Sequence, residues 1–207
     1  MVVGNGEIAE GASKEIDAAD MVVRFNDCRS FGAGGSRTDI VAVCNTGRPA
    51  RAMLGSAEWR KSPSVAVASE IWSVRDPRKF AALRAPLALS HPELNDFCDD
   101  YTDQFTAFSR ATGKRHVVID QSVHERVDEA LLAHEPGSYV VPSSGLVVIG
   151  ALLLLHPDDD IAITGFSHTG WDGHPFVAEK RLVDFYVSLG RLRRIANTTP
   201  ILSSQGA

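Results

Sequence analysis

Three short stretches of this chain hold residues suited to chemistry. Pro142-Ser143-Ser144-Gly145 introduces an unusually apolar run. A helix beginning there offers free backbone N–H groups and hydroxyls to an anion. Some thirty residues later comes His174, followed by Glu179. A histidine can accept a proton near neutral pH, and Glu179, read as lying on the same face of a helix, can orient it. Val2-Val3-Gly4-Asn5-Gly6 opens the chain as a strand running into a glycine turn. Together these point to a transferase that uses a phosphate-linked donor.

Other stretches add to this picture or compete with it. Gly4-Asn5-Gly6 brings backbone close to the carboxyl edge of a sheet, where open α/β sheets bind ligands. It lacks the GxGxxG fingerprint with a following acid, which disfavours a dinucleotide site. Asn26 closes the next strand at the same edge, as a turn cap or as a hydrogen-bond partner for ribose or phosphate. The loop Gly165-Phe166-Ser167-His168-Thr169-Gly170-Trp171-Asp172-Gly173-His174 sets two histidines, an aspartate and an indole between a strand and a helix. Its spacing matches no familiar zinc ligand set. Two histidines can divide labour, one at a phosphate and one at an acceptor proton. Asp158-Asp159-Asp160 precedes a strand and reads as a solvated turn. No G-x-S-x-G elbow is present, against a serine hydrolase.

Alternating short apolar runs and helical stretches predict an α/β fold with a mostly parallel sheet. Strands are expected at Met1–Val3, Met21–Phe25, Thr38–Cys44, Ser64–Ala68, Val117–Ile119 and Ile161–Thr164. Helices are expected at Ser13–Ala19, Ala50–Arg60 and Val123–Ala133, the last with Glu125, Arg126, Asp128 and Glu129 turned to water. Leu94, Phe97, Tyr101, Phe105 and Phe108 recur at helical spacing, so Pro92–Arg110 reads as one amphipathic helix whose stripe is core. Ser143 or Ser144 caps Gly145–Leu155, a helix apolar all round and so expected to be buried on every side. Pro175 is placed in the first turn of a helix reaching about Ile195, with Arg191 to Arg194 solvating its end. The organisation is one domain over 1–199, with a variable middle at 48–139 as a possible acceptor side and a loose tail at 200–207.

The 207 residues, 44% hydrophobic and 23% charged, suit a soluble globular protein. A net charge of −5 without a basic run speaks against nucleic acid. Cys28, Cys44 and Cys98 form no CxxC pair, which fits a reducing compartment better than a disulfide framework. The longest apolar run falls short of the roughly 20 residues that span a bilayer. A cytoplasmic protein without a transmembrane segment is expected, peripheral membrane contact being compatible.

The ordered motifs resemble those of the animal-type sialyltransferases. Val2-Val3-Gly4-Asn5-Gly6, Glu15-Ile16-Asp17, Val22-Val23-Arg24-Phe25-Asn26 and Gly35-Ser36-Arg37-Thr38 are similar to the long motif. Pro142-Ser143-Ser144-Gly145-Leu146 through Ile163-Thr164-Gly165-Phe166 is similar to the short motif. His168 resembles the third-motif histidine, and His174 with Glu179 the very-short motif. Residues 48–139 match nothing in the family pattern. Short bacterial sequences of this look carry the label urease operon accessory protein. The family's disulfide between long and short motifs has no counterpart in these stretches.

The resemblance implies a GT-A-like, Rossmann-type fold and an inverting glycosyltransferase that needs neither metal nor cofactor. Its donor would be a CMP-activated keto-acid sugar, sialic acid or Kdo-like, and its acceptor a hydroxyl of a glycan or lipopolysaccharide. It further implies donor contacts at Asn5, Gly6, Asn26, Ser143, Ser144, Gly145 and Gly165. His168 would stabilise the leaving phosphate, His174 would be the general base, and Glu179 would stand beside it. The alternative is a non-catalytic nucleotide-binding accessory protein that keeps the fold.

Overall fold

The computed structural model describes residues 1–195. In chain order its elements are β1 (Val2–Val3), α1 (Ala12–Ala18), β2 (Val23–Phe25), β3 (Ile40–Val43), α2 (Gly47–Gly55), α3 (Ala57–Lys61), α4 (Pro63–Val67) and β4 (Glu70–Ser73). There follow α5 (Pro77–Ser90), a 3₁₀ turn (Pro92–Leu94), α6 (Thr102–Ala111), β5 (Arg115–Val118), α7 (Gln121–Leu132), α8 (Ser144–Leu155), β6 (Ala162–Thr164), α9 (Phe176–Ser188) and β7 (Arg193–Arg194).

The strands form one sheet in the order β5-β4-β3-β2-β1-β6-β7, with every pairing parallel. The chain winds outward from β1 to β5, then crosses back to place β6 on the other side of β1. The order therefore reverses between β1 and β6, and a cleft opens at the carboxyl ends of strands at such a point. Strand side chains alternate between faces. Ile40 and Ala42 pack in a core with Val127, Leu131 and most of α8, while Val41 and Val43 join Met53, Trp59 and Phe105 on the opposite face.

Several expected elements differ. Residues 63–67 are helical, not a strand: the Ser62 side chain accepts from the Val65 N–H and Pro63 occupies the first turn. The adjoining strand is β4. The helix expected over Ala50–Arg60 breaks at Ser56, whose hydroxyl caps α3 at the Trp59 N–H. The aromatic stretch is not one helix. Gly47 donates to the Asp99 carbonyl and Tyr101 to the Asn45 carbonyl, an antiparallel bridge between Thr46 and Asp100 that interrupts the helix, so only Thr102–Ala111 is α-helical.

The α8 helix is buried along most of its length, but Leu154 and Leu155 are 44% and 64% exposed, not covered on every side. Asp128 does not turn to water, since it accepts from Lys79 and from the Tyr139 hydroxyl. The last helix ends at Ser188, because Gly190 adopts φ 68 and the chain reverses there. Arg193 and Arg194 then form the edge strand β7 instead of a helix end, and Arg193 pairs with Glu15 and Asp160. Asp158, Asp159 and Asp160 are exposed, as expected of a turn. The tail at 200–207 lies outside the described residues.

Candidate functional site

The cleft at the β1/β6 switch is a cavity of about 510 Å³. Asn5, Gly6, Asn26, Ser143, Ser144, Gly145, Gly165, His168, His174 and Glu179, all expected at a site, line this one cavity.

One wall is built from backbone. Gly4 donates to the Thr164 carbonyl and Gly6 to the Gly165 carbonyl, each at 2.8 Å. A Cβ on Gly4 would lie 2.2 Å from the Gly165 oxygen, and one on Gly6 2.8 Å from it. Gly165, at φ 73, would set a Cβ 2.8 Å from the Gly4 oxygen. These glycines let two strand ends touch. Asn5 then clasps the next strand: its amide nitrogen donates to the Phe25 carbonyl, and its oxygen accepts from the Arg29 N–H, both at 3.1 Å. Asn26, at φ 47, accepts from the Cys44 N–H through its side-chain oxygen. Its amide NH₂ has no hydrogen-bond partner among the described residues and lies at the cavity. Beneath them the fully buried Arg24 guanidinium donates to Arg37, Thr38, Ser30, Gly34 and Gly35, fixing the loop that follows β2.

The facing wall depends on side chains. Ser143 caps α8, its hydroxyl accepting from the Leu146 N–H at 3.2 Å. The same hydroxyl donates to Glu179, and the Ser143 N–H donates to the other carboxylate oxygen, both at 2.6 Å. The cap is thus committed to the fold. The hydroxyl of Ser144 and the first-turn N–H groups of Ser144 and Gly145 are the groups left for an anion. Gly145 also admits the Phe166 ring, which a Cβ would meet at 2.7 Å.

His174 precedes α9 instead of riding on it, and Glu179 does not orient it. The ring is held by its Nδ1–H, which donates to the Val141 carbonyl at 2.8 Å, leaving Nε2 as a free acceptor. Trp171 and Phe176 meet the imidazole edge-on, with centroids 4.9 and 5.3 Å away. Burial, reinforced by Arg75, lowers its pKa to about 4. His168 is lowered to about 4 by burial and then by Arg194, which donates to its Nε2 at 3.3 Å and leaves the proton on Nδ1. Both rings are neutral at pH 7. Burial raises the Glu179 pKa, while the Ser143 hydrogen bonds and Arg75 oppose that shift.

Sequence reasoning missed four contributors: the Val141 carbonyl, Arg29 on the cavity rim, the buried Arg75 that donates to the Pro142 carbonyl, and Phe97. Phe97 packs on Trp171 at 5.5 Å and on Phe80 at 5.9 Å, linking residues 48–139 to the site loop. The stripe spacing marked Phe97 as apolar but carried no sign that it leaves the helix for the site. Among the described residues no group of three or more His, Cys, Asp or Glu is placed to hold a metal ion. The three cysteines are free thiols, and among the described residues no helix is long and apolar enough to cross a membrane.

A parallel sheet with a polar cleft at its switch point places the molecule among Rossmann-type α/β proteins. The family is narrower: the chain belongs to glycosyltransferase family 29 (sialyltransferase), whose family model matches residues 1–184. The fold is the GT-A-like one of a crystallised mammalian sialyltransferase, with a TM-score of 0.55 at 17% identity over 95% of this chain and 68% of that one. A mammalian sialyltransferase in complex with Gal-beta-1-3GalNAc-ortho-nitrophenol matches at 0.51 and 19% identity, with the same coverage. A Rhizobium meliloti (strain 1021) protein named urease operon 23 kDa accessory protein is 55% identical over 197 residues, 94% of this chain and 91% of the relative.

Proposed function

We propose that the protein transfers a keto-acid sugar, sialic acid or Kdo-like, from a CMP-activated donor to a glycan or lipopolysaccharide-type hydroxyl, with inversion and without a metal. The observation that carries this reading is the His174 imidazole. It lines the same cavity as Ser144 and Gly145, burial lowers its pKa to about 4, and the tether through Nδ1 leaves Nε2 as the acceptor. The acceptor oxygen forms a bond to the anomeric carbon as the carbon–oxygen bond to phosphate breaks. CMP leaves with that electron pair, and the acceptor proton passes to Nε2 of His174.

Charge developing on the departing phosphate meets the N–H groups of Ser144 and Gly145, the Asn26 amide and the Nδ1–H of His168. Arg194 fixes the His168 tautomer from behind. Asn5, Gly6 and Gly165 shape the floor on which the nucleotide rests. Glu179 acts through Ser143 as a positioning residue. Phe97, from the middle of the chain, supports the acceptor side through Trp171. The reaction belongs in the cytoplasm, where CMP-activated sugars would be its soluble donors.

The name of the Rhizobium meliloti relative favours a second reading, a nucleotide-binding accessory protein that keeps the fold without turnover. A thermal-shift panel of CMP, CDP, UDP, GDP and S-adenosylmethionine tests the part both readings share. CMP and CDP raise the melting temperature, by mass action on the native state. No shift with cytidine nucleotides at millimolar concentration overturns the donor assignment.

A further inference from the structure

A CMP-linked keto-acid donor carries two anions, a phosphodiester and a carboxylate. The α8 N-terminus answers one of them. Next to the main cavity lies a second cleft of about 420 Å³, between the segment 8–13 and the loop 29–34. The two clefts share Asn5, Gly6 and Arg29. Among the described residues lining either, Arg29 is the only lysine or arginine. On a chain of net charge −5, a second anion has no other cation to meet there.

We propose that Arg29 is the residue that reads the donor's carboxylate, and so sets the preference for an acid sugar over a neutral one. This rests on the CMP-sugar reading above and deepens it. The Arg29 backbone is fixed, since its N–H donates to the Asn5 side-chain oxygen at the end of β1. Asn26 and Cys28, at φ 47 and 50, make the tight turn that delivers it to the rim.

Its guanidinium is only loosely held. Among the described residues its partner is Asp27, two residues away, at 3.3 and 3.4 Å, with side chains 69% and 55% exposed. Such a solvated pair contributes little stability, so exchanging Asp27 for a ligand carboxylate is cheap. A guanidinium forms two parallel N–H···O bonds with a carboxylate, a geometry that a neutral sugar cannot return. Glu10 also lines the smaller cleft, leaving Arg29 to select where the acid is placed.

The test compares CMP-sialic acid and CMP-Kdo, each as the free acid and as its carboxylate methyl ester, by calorimetric titration of the full chain and of Arg29→Gln and Arg29→Lys. The unsubstituted protein is expected to bind the acid about tenfold tighter than the ester, the scale of a charge-assisted pair. Arg29→Gln removes that preference while keeping the ester affinity and the melting temperature, and Arg29→Lys keeps part of the preference. A Gln variant that still prefers the acid, or that weakens acid and ester equally, overturns the role. Failure of the unsubstituted protein to bind CMP itself overturns the donor reading, and the Arg29 assignment with it.

Discussion

The two walls of the cleft are built on opposite principles. The wall made by the ends of β1, β2 and β6 is held by backbone: Gly4, Gly6 and Gly165 meet without side chains, at distances a single methyl group would violate. The wall made by α8 and the 165–174 loop is held by side chains, with Glu179 gripping Ser143, Val141 holding His174, and Arg194 holding His168. The backbone wall offers shape, with the Asn26 amide and Arg29 as its polar groups. The side-chain wall carries both histidines and Glu179, each set by a neighbour far away in sequence. The two walls therefore fail differently when altered.

The largest effect on stability is expected on the backbone wall. Gly4→Ala puts a methyl group where the Gly165 oxygen stands, so β1 and β6 must part. The cost is about 3 kcal/mol, read from urea unfolding, with nucleotide binding lost alongside. An alanine variant of ordinary stability would show that the strand ends can separate freely.

On the other wall, Glu179→Ala leaves the partly buried Ser143 N–H without its acceptor, at a cost of about 1–2 kcal/mol. The fold persists while nucleotide affinity weakens, because Ser143 no longer sets the start of α8. Glu179 is only 2% exposed, so an unchanged unfolding curve would mean that the carboxylate does not hold the cap.

Much of this was legible in the sequence, for identifiable reasons. Short apolar runs ended by glycine or asparagine turns marked β1, β2, β3 and β6, because burial and turn chemistry are local. Ser143 as a cap was legible for the same reason. The partners of the site residues were not. Glu179 lies five residues from His174, and sequence proximity suggested a pair, yet its bonds go to Ser143, 36 residues away. The helix expected through 92–110 failed because periodicity cannot register the pairing of 99–101 with 45–47. Ser62-Pro63, by contrast, is a local cap signal that outweighed the strand-like Val65 and Val67. Arg29 carried no signal at all, since its place depends on the turn through Asn26 and Cys28.

The central claim is that His174 is a neutral base held for proton transfer, and its direct measurement is turnover by His174→Ala. With a CMP-activated keto-acid donor, the variant is expected to lose roughly 10²–10⁴-fold in kcat while retaining CMP binding. The unsubstituted enzyme's kcat/KM should fall only as pH drops through about 4, where His174 takes up its proton, and stay level across the usual histidine range near 6.5. Equal turnover by the variant and the unsubstituted protein would contradict the account.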